Sequence, residues 1–253
     1  ISMLANAGVT TGNDMDSNNE VIPLSEIDPF SFMALSLKGR DTTRSEKLKE
    51  LMAQMGIELD VPTDFMGVPS VQAQSAWLFS YKVNRGQSDI SDLWDLFSEQ
   101  MSSKVTEKTF NHALSIRMVG FSKLTQYMFY FTPEKILPVD GVTRPYLKNM
   151  GIQLVNEDWK SYNNLLNEVH KKINEKFYSI SYDAWVKKVF TAAQAIEYLK
   201  GRFEVLGETA HMVVFSLAHG KQIGIDPELQ SVKVFIEQNP ENHLQFKVKF
   251  YEE

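Results

Sequence analysis

The spacing of apolar residues changes at Gly201, and this change divides the chain into two kinds of structure. Before it, apolar residues recur three or four positions apart, as in residues 157–177, which is the pattern of an amphipathic helix. After it, short runs alternate apolar and polar residues, as in residues 231–238, which predicts antiparallel strands. The sequence therefore predicts an α+β fold, with a mostly helical domain over residues 23–200 and a small antiparallel β-rich module over residues 201–253.

Residues 1–22 differ from both parts because they are rich in Asn, Asp, Ser, Gly and Thr and contain few apolar residues. A segment of this composition buries little apolar surface, so it cannot offset the entropy lost on ordering. We expect residues 1–22 to form a disordered leader.

Charge is unevenly distributed along a chain whose net charge is −6. Residues 101–200 carry 14 Lys and Arg against 9 Asp and Glu, whereas residues 1–100 carry 7 against 15. An acidic protein binds nucleic acid poorly unless its basic residues lie together on one face. The basic middle of the chain is therefore either a surface for phosphates or the solvated face of several helices.

Several classes of site are excluded by the residues that the sequence lacks. The absence of cysteine rules out disulfides, cysteine-ligated zinc, iron–sulfur clusters and thiol nucleophiles. There is no phosphate loop of the Walker type, and the five histidines have no metal-binding spacing, so we predict no cofactor and no metal. No apolar run approaches the roughly 20 residues of a membrane span, and no secretion signal is present, so we expect a cytoplasmic protein.

A glycine turn before an apolar helix is the first candidate for contact with DNA. Gly120 precedes a helix that begins near Ser122, and a glycine at such a place lets a phosphate approach the N–H groups of the helix start. Lys123, Lys135 and Arg144 lie in or near the same stretch and form a candidate set of phosphate contacts. Each lysine taken alone is better explained as a solvated surface residue, and only the group of three favours contact with phosphates.

Asp140 follows this helix and stands just before a short helical segment. Three roles are open for it: a cap that accepts the N–H of Val142 or Thr143, a polar contact to a ligand, or a catalytic carboxylate. Arg144 lies one helical turn further on, where it either pairs with Asp140 or reaches a phosphate.

Two aromatic residues are candidates for stacking on a nucleic-acid base. Trp77 and Tyr81 lie in a short apolar run after a segment that is rich in Pro and Gly. Exposed aromatic rings stack on bases, whereas buried ones belong to the core, and the neighbouring loop favours the first interpretation for these two.

The stretches V-G-F-S-K at 119–123 and P-V-D-G-V-T-R at 138–144 resemble the helix-hairpin-helix DNA glycosylase superfamily. The resemblance implies a helix-hairpin-helix-like core, a hairpin at 119–123 that contacts the DNA backbone, and Asp140 at the place of the catalytic aspartate. The sequence departs from the family at the first hairpin glycine, which is missing, and at Ser122, where bifunctional members carry lysine.

A longer resemblance joins residues 27–32, 61–79, 89–97 and 119–147, which occur in the order found ahead of the GTPase module of McrB-type restriction subunits. Those subunits are AAA+ GTPases that work with a separate nuclease, and their N-terminal regions recognise DNA, often modified DNA. The resemblance implies a target-recognition segment without the motor.

We therefore expect a non-catalytic DNA-recognition region of a restriction or phage-defence protein, with possible AAA+ GTPase and nuclease subunits as partners. One alternative is a glycosylase-like enzyme that uses Asp140. Another is a protein-interaction module that docks a partner subunit.

Overall fold

The computed structural model describes residues 1–71, 76–189, 192–217, 221–227 and 234–236. It confirms the α+β class: helices dominate most of the described chain, and small antiparallel sheets complete it. Two compact units are present, Ile1–Trp185 and Val186–Glu253. The first unit thus ends before residue 200, the boundary that the sequence predicts, and residues 186–200 group with the strands.

The first unit is built mainly of helices, with one β-hairpin near its start. Its elements are α1 Ser2–Asn6, β1 Asn13–Met15, β2 Val21–Pro23, α2 Pro29–Ser36, α3 Asp41–Gln54, a 3₁₀ turn Lys82–Asn84, α4 Asp89–Met101, α5 Glu107–Ser115, α6 Phe121–Phe129, α7 Thr143–Asn149 and α8 Trp159–Ile173. A ninth helix, α9, spans Phe177–Val189 and begins in this unit.

Local capping explains where several of these helices begin and end. Asp28 accepts the N–H of Ser31 at 2.9 Å at the start of α2, and Thr106 accepts the N–H of Thr109 at the start of α5. Asp158 does the same for α8, which ends where Asn174 adopts a left-handed backbone with φ 52°. These helix limits therefore follow from residues next to them in the sequence.

The core of the first unit is strongly aromatic. Tyr162 is fully buried and stacks on Phe110 with a centroid separation of 5.8 Å, while Phe121 meets the Tyr162 ring edge-on. The Tyr162 hydroxyl donates to the Leu137 carbonyl at 2.7 Å and accepts the Leu137 N–H at 3.1 Å. Burial raises the pKa of Tyr162 far above its ordinary value, so this hydroxyl stays protonated and keeps the segment before α7 on the core.

Residues 1–22 are packed in the structure, in place of the predicted disordered leader. Leu4 is fully buried, and β1 pairs with β2 in the register Asn13↔Pro23 and Met15↔Val21. The many polar residues make the turn between these strands, where Asp16 accepts the N–H of both Asn18 and Glu20. A polar composition marks a tight hairpin here rather than a lack of structure.

A buried carboxylate ties this N-terminal hairpin to the rest of the first unit. Asp14 accepts from the Lys82 N–H at 2.7 Å and from the Arg85 guanidinium at 2.9 Å. Burial alone would raise the pKa of Asp14, but the N–H donors of Lys82 and Met15, together with Arg85, outweigh it and hold the pKa below its usual range.

The second unit contains a helix, α10 Ala192–Lys200, and the predicted antiparallel sheet. Its strands are β3 Val205–Glu208, β4 Val213–Ser216, β5 Gln222–Ile225 and β6 Val234–Ile236, in the order β3-β4-β5-β6. Val213 and Phe215 of β4 alternate with less buried residues and pack with Ile196 of α10. The period-two pattern of the sequence therefore corresponds to one covered face of the sheet.

None of the helices in the described ranges is both long and apolar enough to cross a bilayer.

Candidate nucleic-acid interface

Residues 116–120 join α5 to α6, and the segment predicted as the 119–123 hairpin consists of the end of this turn and the first three residues of α6, with Gly120 exposed. Gly120 is the N-cap residue of α6 and has an ordinary extended backbone with φ −101° and ψ 152°. It has no side chain, so the N–H groups of the first turn of α6 receive no side-chain hydrogen bond from it. A Cβ added at Gly120 would meet no atom within 4 Å. The fold itself therefore does not require glycine at this position, and only a group approaching from outside would use the space that it leaves.

Lys123 connects the hairpin to the segment that carries Trp77. Its ammonium group donates to the Trp77 carbonyl and, at 3.3 Å, to the Met118 carbonyl. It also lies 5.9 Å from the centre of the Tyr127 ring. Burial lowers the pKa of Lys123 to about 8, against a smaller opposing effect of the Asp28 carboxylate. The structure thus turns Lys123 inward, where it holds two segments together, rather than outward to a phosphate.

Trp77, Phe79 and Tyr81 form an aromatic wall beside this hairpin. The Trp77 and Phe79 rings stack at 5.1 Å with an interplanar angle of 18°, and the Tyr81 ring meets Trp77 edge-on at 5.9 Å. Tyr81 is 48% exposed, whereas Phe79 is buried in the core. The two aromatic residues predicted to stack on bases therefore lie together, with one of them largely open to solvent.

A second wall comes from the segment just before β1, which contacts the Trp77 ring. The Trp77 indole N–H donates to the Thr11 carbonyl at 3.0 Å. Gly12 has φ +85°, and a Cβ there would lie 3.3 Å from Cζ2 of Trp77. Here glycine is required on both counts, because the backbone conformation disfavours a side chain and the ring leaves little room for one.

Between these walls lies a cavity of about 500 Å³, which we call the aromatic pocket. Besides the rings, its lining includes the cationic side chains of Lys38 and Arg117 and several uncharged polar residues, among them Asn84. Among the residues that the structure describes, no carboxylate lies within 4.0 Å of the charged nitrogens of Lys38 or Arg117. A pocket of this volume with aromatic faces and two unpaired cations suits a planar ligand that carries negative charge.

Sequence reasoning missed Lys38, Arg117 and the segment around Gly12 as parts of this site. Arg117 had a signal, because it lies in the basic third of the chain two residues before the 119–123 hairpin. Lys38 and Gly12 had none, since they come from the acidic third and from the supposed leader.

Asp140 is a buried helix cap. It is 5% exposed, and its Oδ1 accepts the N–H groups of Val142 at 2.8 Å and Thr143 at 2.9 Å. Its Oδ2 accepts from the amide of Gln126 at 2.7 Å. Of the three roles left open by the sequence, the cap is the one that these hydrogen bonds show.

Arg144 and Ser122 lie together next to the start of α6. The Ser122 hydroxyl donates to the Val139 carbonyl at 2.9 Å and accepts from the Arg144 guanidinium at 3.4 Å. Arg144 forms its ion pair with Glu157, not with Asp140. Its charge is therefore partly compensated by Glu157, and its guanidinium lies beside the start of α6 through Ser122.

Lys135 is exposed, and its ammonium group donates to the Ser103 hydroxyl at 2.7 Å. It has no hydrogen bond to the other predicted site residues in the described part of the chain. The structure therefore brings together Trp77, Tyr81, Gly120, Ser122, Lys123 and Arg144, but gives Lys135 a separate partner.

No group of three or more His, Asp or Glu side chains is placed to hold a metal ion within the described ranges.

Comparison with known proteins identifies a family and no individual relative. No curated protein and no solved structure matches the chain. Residues 3–187 match the family model described as "Domain of unknown function (DUF8425)". This range covers more than half of the chain and includes the aromatic pocket, the 119–123 hairpin and Asp140. The chain therefore belongs to the DUF8425 family.

Proposed function

We propose that this chain is a non-catalytic DNA-recognition region of a restriction or phage-defence protein, which binds the DNA backbone at the 119–123 hairpin and a base in the aromatic pocket. The observation that supports this most directly is the aromatic pocket itself, which Trp77 and Tyr81 line together with Lys38 and Arg117, two cations without an ion pair in the described part of the chain. Stacking of a base on an aromatic side chain contributes about 1–3 kcal/mol and tolerates any sequence.

The hairpin supplies the complementary contact with phosphate. Gly120 is exposed and leaves the start of α6 accessible, where backbone N–H groups favour an anion. Arg144 lies beside this helix start through Ser122, so its guanidinium adds positive charge there. Lys123 acts as a positioning residue, because its bonds to the Trp77 and Met118 carbonyls keep the hairpin next to the pocket.

No enzymatic role is proposed for Asp140. Its hydrogen bonds to Val142, Thr143 and Gln126 use both carboxylate oxygens and account for the residue type. The aromatic pocket does not include Asp140 in its lining, so a base held there would not meet this carboxylate.

The resemblance to McrB-type subunits bears on the compartment, the partner subunits and the kind of DNA that is bound. It supports a cytoplasmic protein that works with an AAA+ GTPase and a nuclease, and it supports modified DNA as the ligand.

The proposal is tested by fluorescence anisotropy with labelled duplexes and single strands, unmodified and methylated, over a series of salt concentrations. We compare the wild type with Lys38→Ala/Arg117→Ala and with Tyr81→Ala. A control of equal charge is Lys104→Ala/Lys108→Ala, since both lysines are exposed and lie outside the pocket lining.

We expect salt-dependent binding by the wild type, and a dependence on log salt whose slope falls by about 2 when both pocket cations are removed. Tyr81→Ala should weaken binding of single strands about tenfold without changing that slope, because it removes stacking and no charge. Binding that is insensitive to salt, or equally weakened by the control pair, contradicts the proposal and moves the protein-interaction module to first place.

A further inference from the structure

A second cavity, of about 440 Å³, lies in the first unit between residues 66–68, the end of α6 and the first half of α9. Its lining includes three aromatic side chains, one carboxylate and two apolar side chains: Phe129, Tyr178, Tyr182, Asp183, Met66 and Val68. We call it the tyrosine cage. It shares no lining residue with the aromatic pocket.

One wall of the tyrosine cage is fixed by close backbone packing. The Ser181 hydroxyl donates to the Gly67 carbonyl at 2.7 Å. Gly67 has φ +76°, and a Cβ there would lie 2.5 Å from Cα of Tyr182, so only glycine fits. The Tyr130 hydroxyl anchors the same loop through the Pro69 carbonyl at 2.8 Å. The cavity is therefore formed before any ligand enters, and binding does not have to order this loop.

The two tyrosines of the cage are unusually open, whereas Phe129 is buried. Tyr178 is 50% exposed and Tyr182 is 44% exposed, and they stand one turn apart on α9. One ring face of Tyr182 stacks on Trp185 at a centroid separation of 6.3 Å, which fixes the orientation of this ring beside the cavity. Two half-exposed rings beside a preformed cavity are more useful for binding than for stability.

Charge defines what kind of ligand the cage accepts. Asp183 lines it, and no Lys, Arg or His is among its described lining residues. The surroundings are negative as well: burial, followed by the charges of Asp183 and Glu175, raises the pKa of the nearby Tyr146 to about 12. A phosphate or carboxylate is therefore repelled, whereas a cation is attracted by both the carboxylate and the ring faces.

The apolar part of the lining narrows the class of cation. The Met66, Val68 and Phe129 side chains carry no oxygen, and the only carboxylate in the described lining is that of Asp183, which is few ligands for a small inorganic ion that binds six or more oxygen atoms. The three oxygen-free side chains do offer apolar contact to methyl groups, and an alkylated ammonium ion gives up water easily. We propose that the tyrosine cage binds a methylated ammonium group, with Tyr178, Tyr182 and Phe129 against its methyl groups and the Asp183 carboxylate near its charge.

A methylated ammonium group is found in two kinds of ligand: a methylated lysine side chain of a protein, and a free small molecule such as choline. The shared group is the trimethylammonium ion. This site goes beyond the proposed DNA binding and does not depend on it.

The test is isothermal titration of the full chain with three probes: choline, N-acetyl-trimethyllysine amide, and 3,3-dimethylbutan-1-ol, the uncharged carbon isostere of choline. We expect choline or the trimethyllysine derivative to bind at least about tenfold more tightly than the isostere, because only the charged probes gain from the rings and Asp183. Tighter binding of trimethyllysine identifies a protein source, and tighter binding of choline a free small molecule.

Variants then assign the site. Tyr178→Ala and Asp183→Asn should each weaken the charged probes about fivefold or more, while Tyr178→Phe should retain binding because it keeps the ring. Tyr81→Ala, which removes a tyrosine of similar exposure from the aromatic pocket, should change nothing. Circular dichroism of each variant shows that it is folded.

Equal affinity for choline and its isostere would overturn the proposal, since an apolar cavity alone would give that result. No binding of any probe, or an equal loss in Tyr81→Ala, would overturn it as well. Because none of these titrations contains DNA, their outcome is separate from that of the anisotropy experiment.

Discussion

The ammonium group of Lys123 donates to the backbone carbonyl of Trp77, and this contact fixes the hairpin beside the aromatic pocket. The same group donates to Met118, so one side chain ties a residue of the pocket wall to the turn before α6. The 119–123 hairpin and the wall of the aromatic pocket are therefore linked through one side chain.

Lys123→Met should loosen this link while keeping most of the buried aliphatic chain. Loss of two hydrogen bonds from a charged donor should lower the free energy of unfolding by about 2 kcal/mol, since the Trp77 carbonyl loses this partner. Urea denaturation measures the change. Lys148→Met, at an exposed position, is the control and should have little effect.

Gly120→Ala should affect mainly DNA binding, whereas Gly12→Ala should affect mainly the free energy of unfolding. The first should change the free energy of unfolding by less than about 1 kcal/mol, because no atom lies within 4 Å of the added Cβ, yet it should weaken DNA binding by hindering backbone approach. The second should destabilise the protein by about 1–3 kcal/mol, since its φ of +85° and the Trp77 ring both oppose a side chain. Thermal unfolding and DNA titration of both variants check this contrast, and unchanged DNA affinity in Gly120→Ala would remove the hairpin from the proposed interface.

Asp140→Ala should lower the free energy of unfolding by about 2 kcal/mol, because two N–H groups at the start of α7 lose their acceptor. Chemical denaturation measures this loss. A base-excision assay on duplexes with damaged or methylated bases should show no activity in the wild type. Excision that disappears in Asp140→Asn would instead support the glycosylase alternative.

Asp28 should make stability depend on pH in the acidic range. The residue is fully buried with one carboxylate oxygen, Oδ2, lacking a hydrogen-bond partner, and burial raises its pKa to about 6. A carboxyl whose pKa is higher in the folded state favours folding when protonated, so its contribution is present below about pH 4 and is lost as pH rises through 6. The loss amounts to roughly 3 kcal/mol for a shift of this size.

The measurement is the free energy of unfolding of the wild type and of Asp28→Asn between pH 4 and 7. Asparagine keeps an oxygen that can accept the Ser31 N–H but does not titrate, so the difference between the two proteins should change with pH. Parallel curves would show that Asp28 is already ionised throughout this range.

Local patterns were readable from the sequence, and long-range contacts were not. A cap for the N–H of Val142 or Thr143, two and three residues away, was one of the three roles left open for Asp140, and the hydrogen bonds are those of the cap. Lys123 was predicted to face a phosphate, but its acceptor is Trp77, 46 positions earlier. A lysine with unpaired charge and a lysine that joins two segments have the same sequence signature.

The prediction that residues 1–22 are disordered was wrong for the same reason. From the sequence, the polar residues of this stretch are typical of a solvent-exposed segment. In the structure, Asp14 accepts from Arg85, 71 positions later, and the Thr11 carbonyl accepts from the Trp77 indole N–H, 66 positions later. Composition reports how much apolar surface a segment can bury, but it does not report a partner supplied by another part of the chain.

The contact between Thr11 and Trp77 affects how DNA-binding measurements on N-terminally truncated forms of this protein are interpreted. A fragment that begins at Leu24 would keep every helix from α2 onward, yet it would expose one face of the indole and open the pocket on that side. Such a fragment would also leave Arg85 without its Asp14 partner, so that a failure to bind DNA would reflect the missing wall and the lost packing and not the absence of the activity.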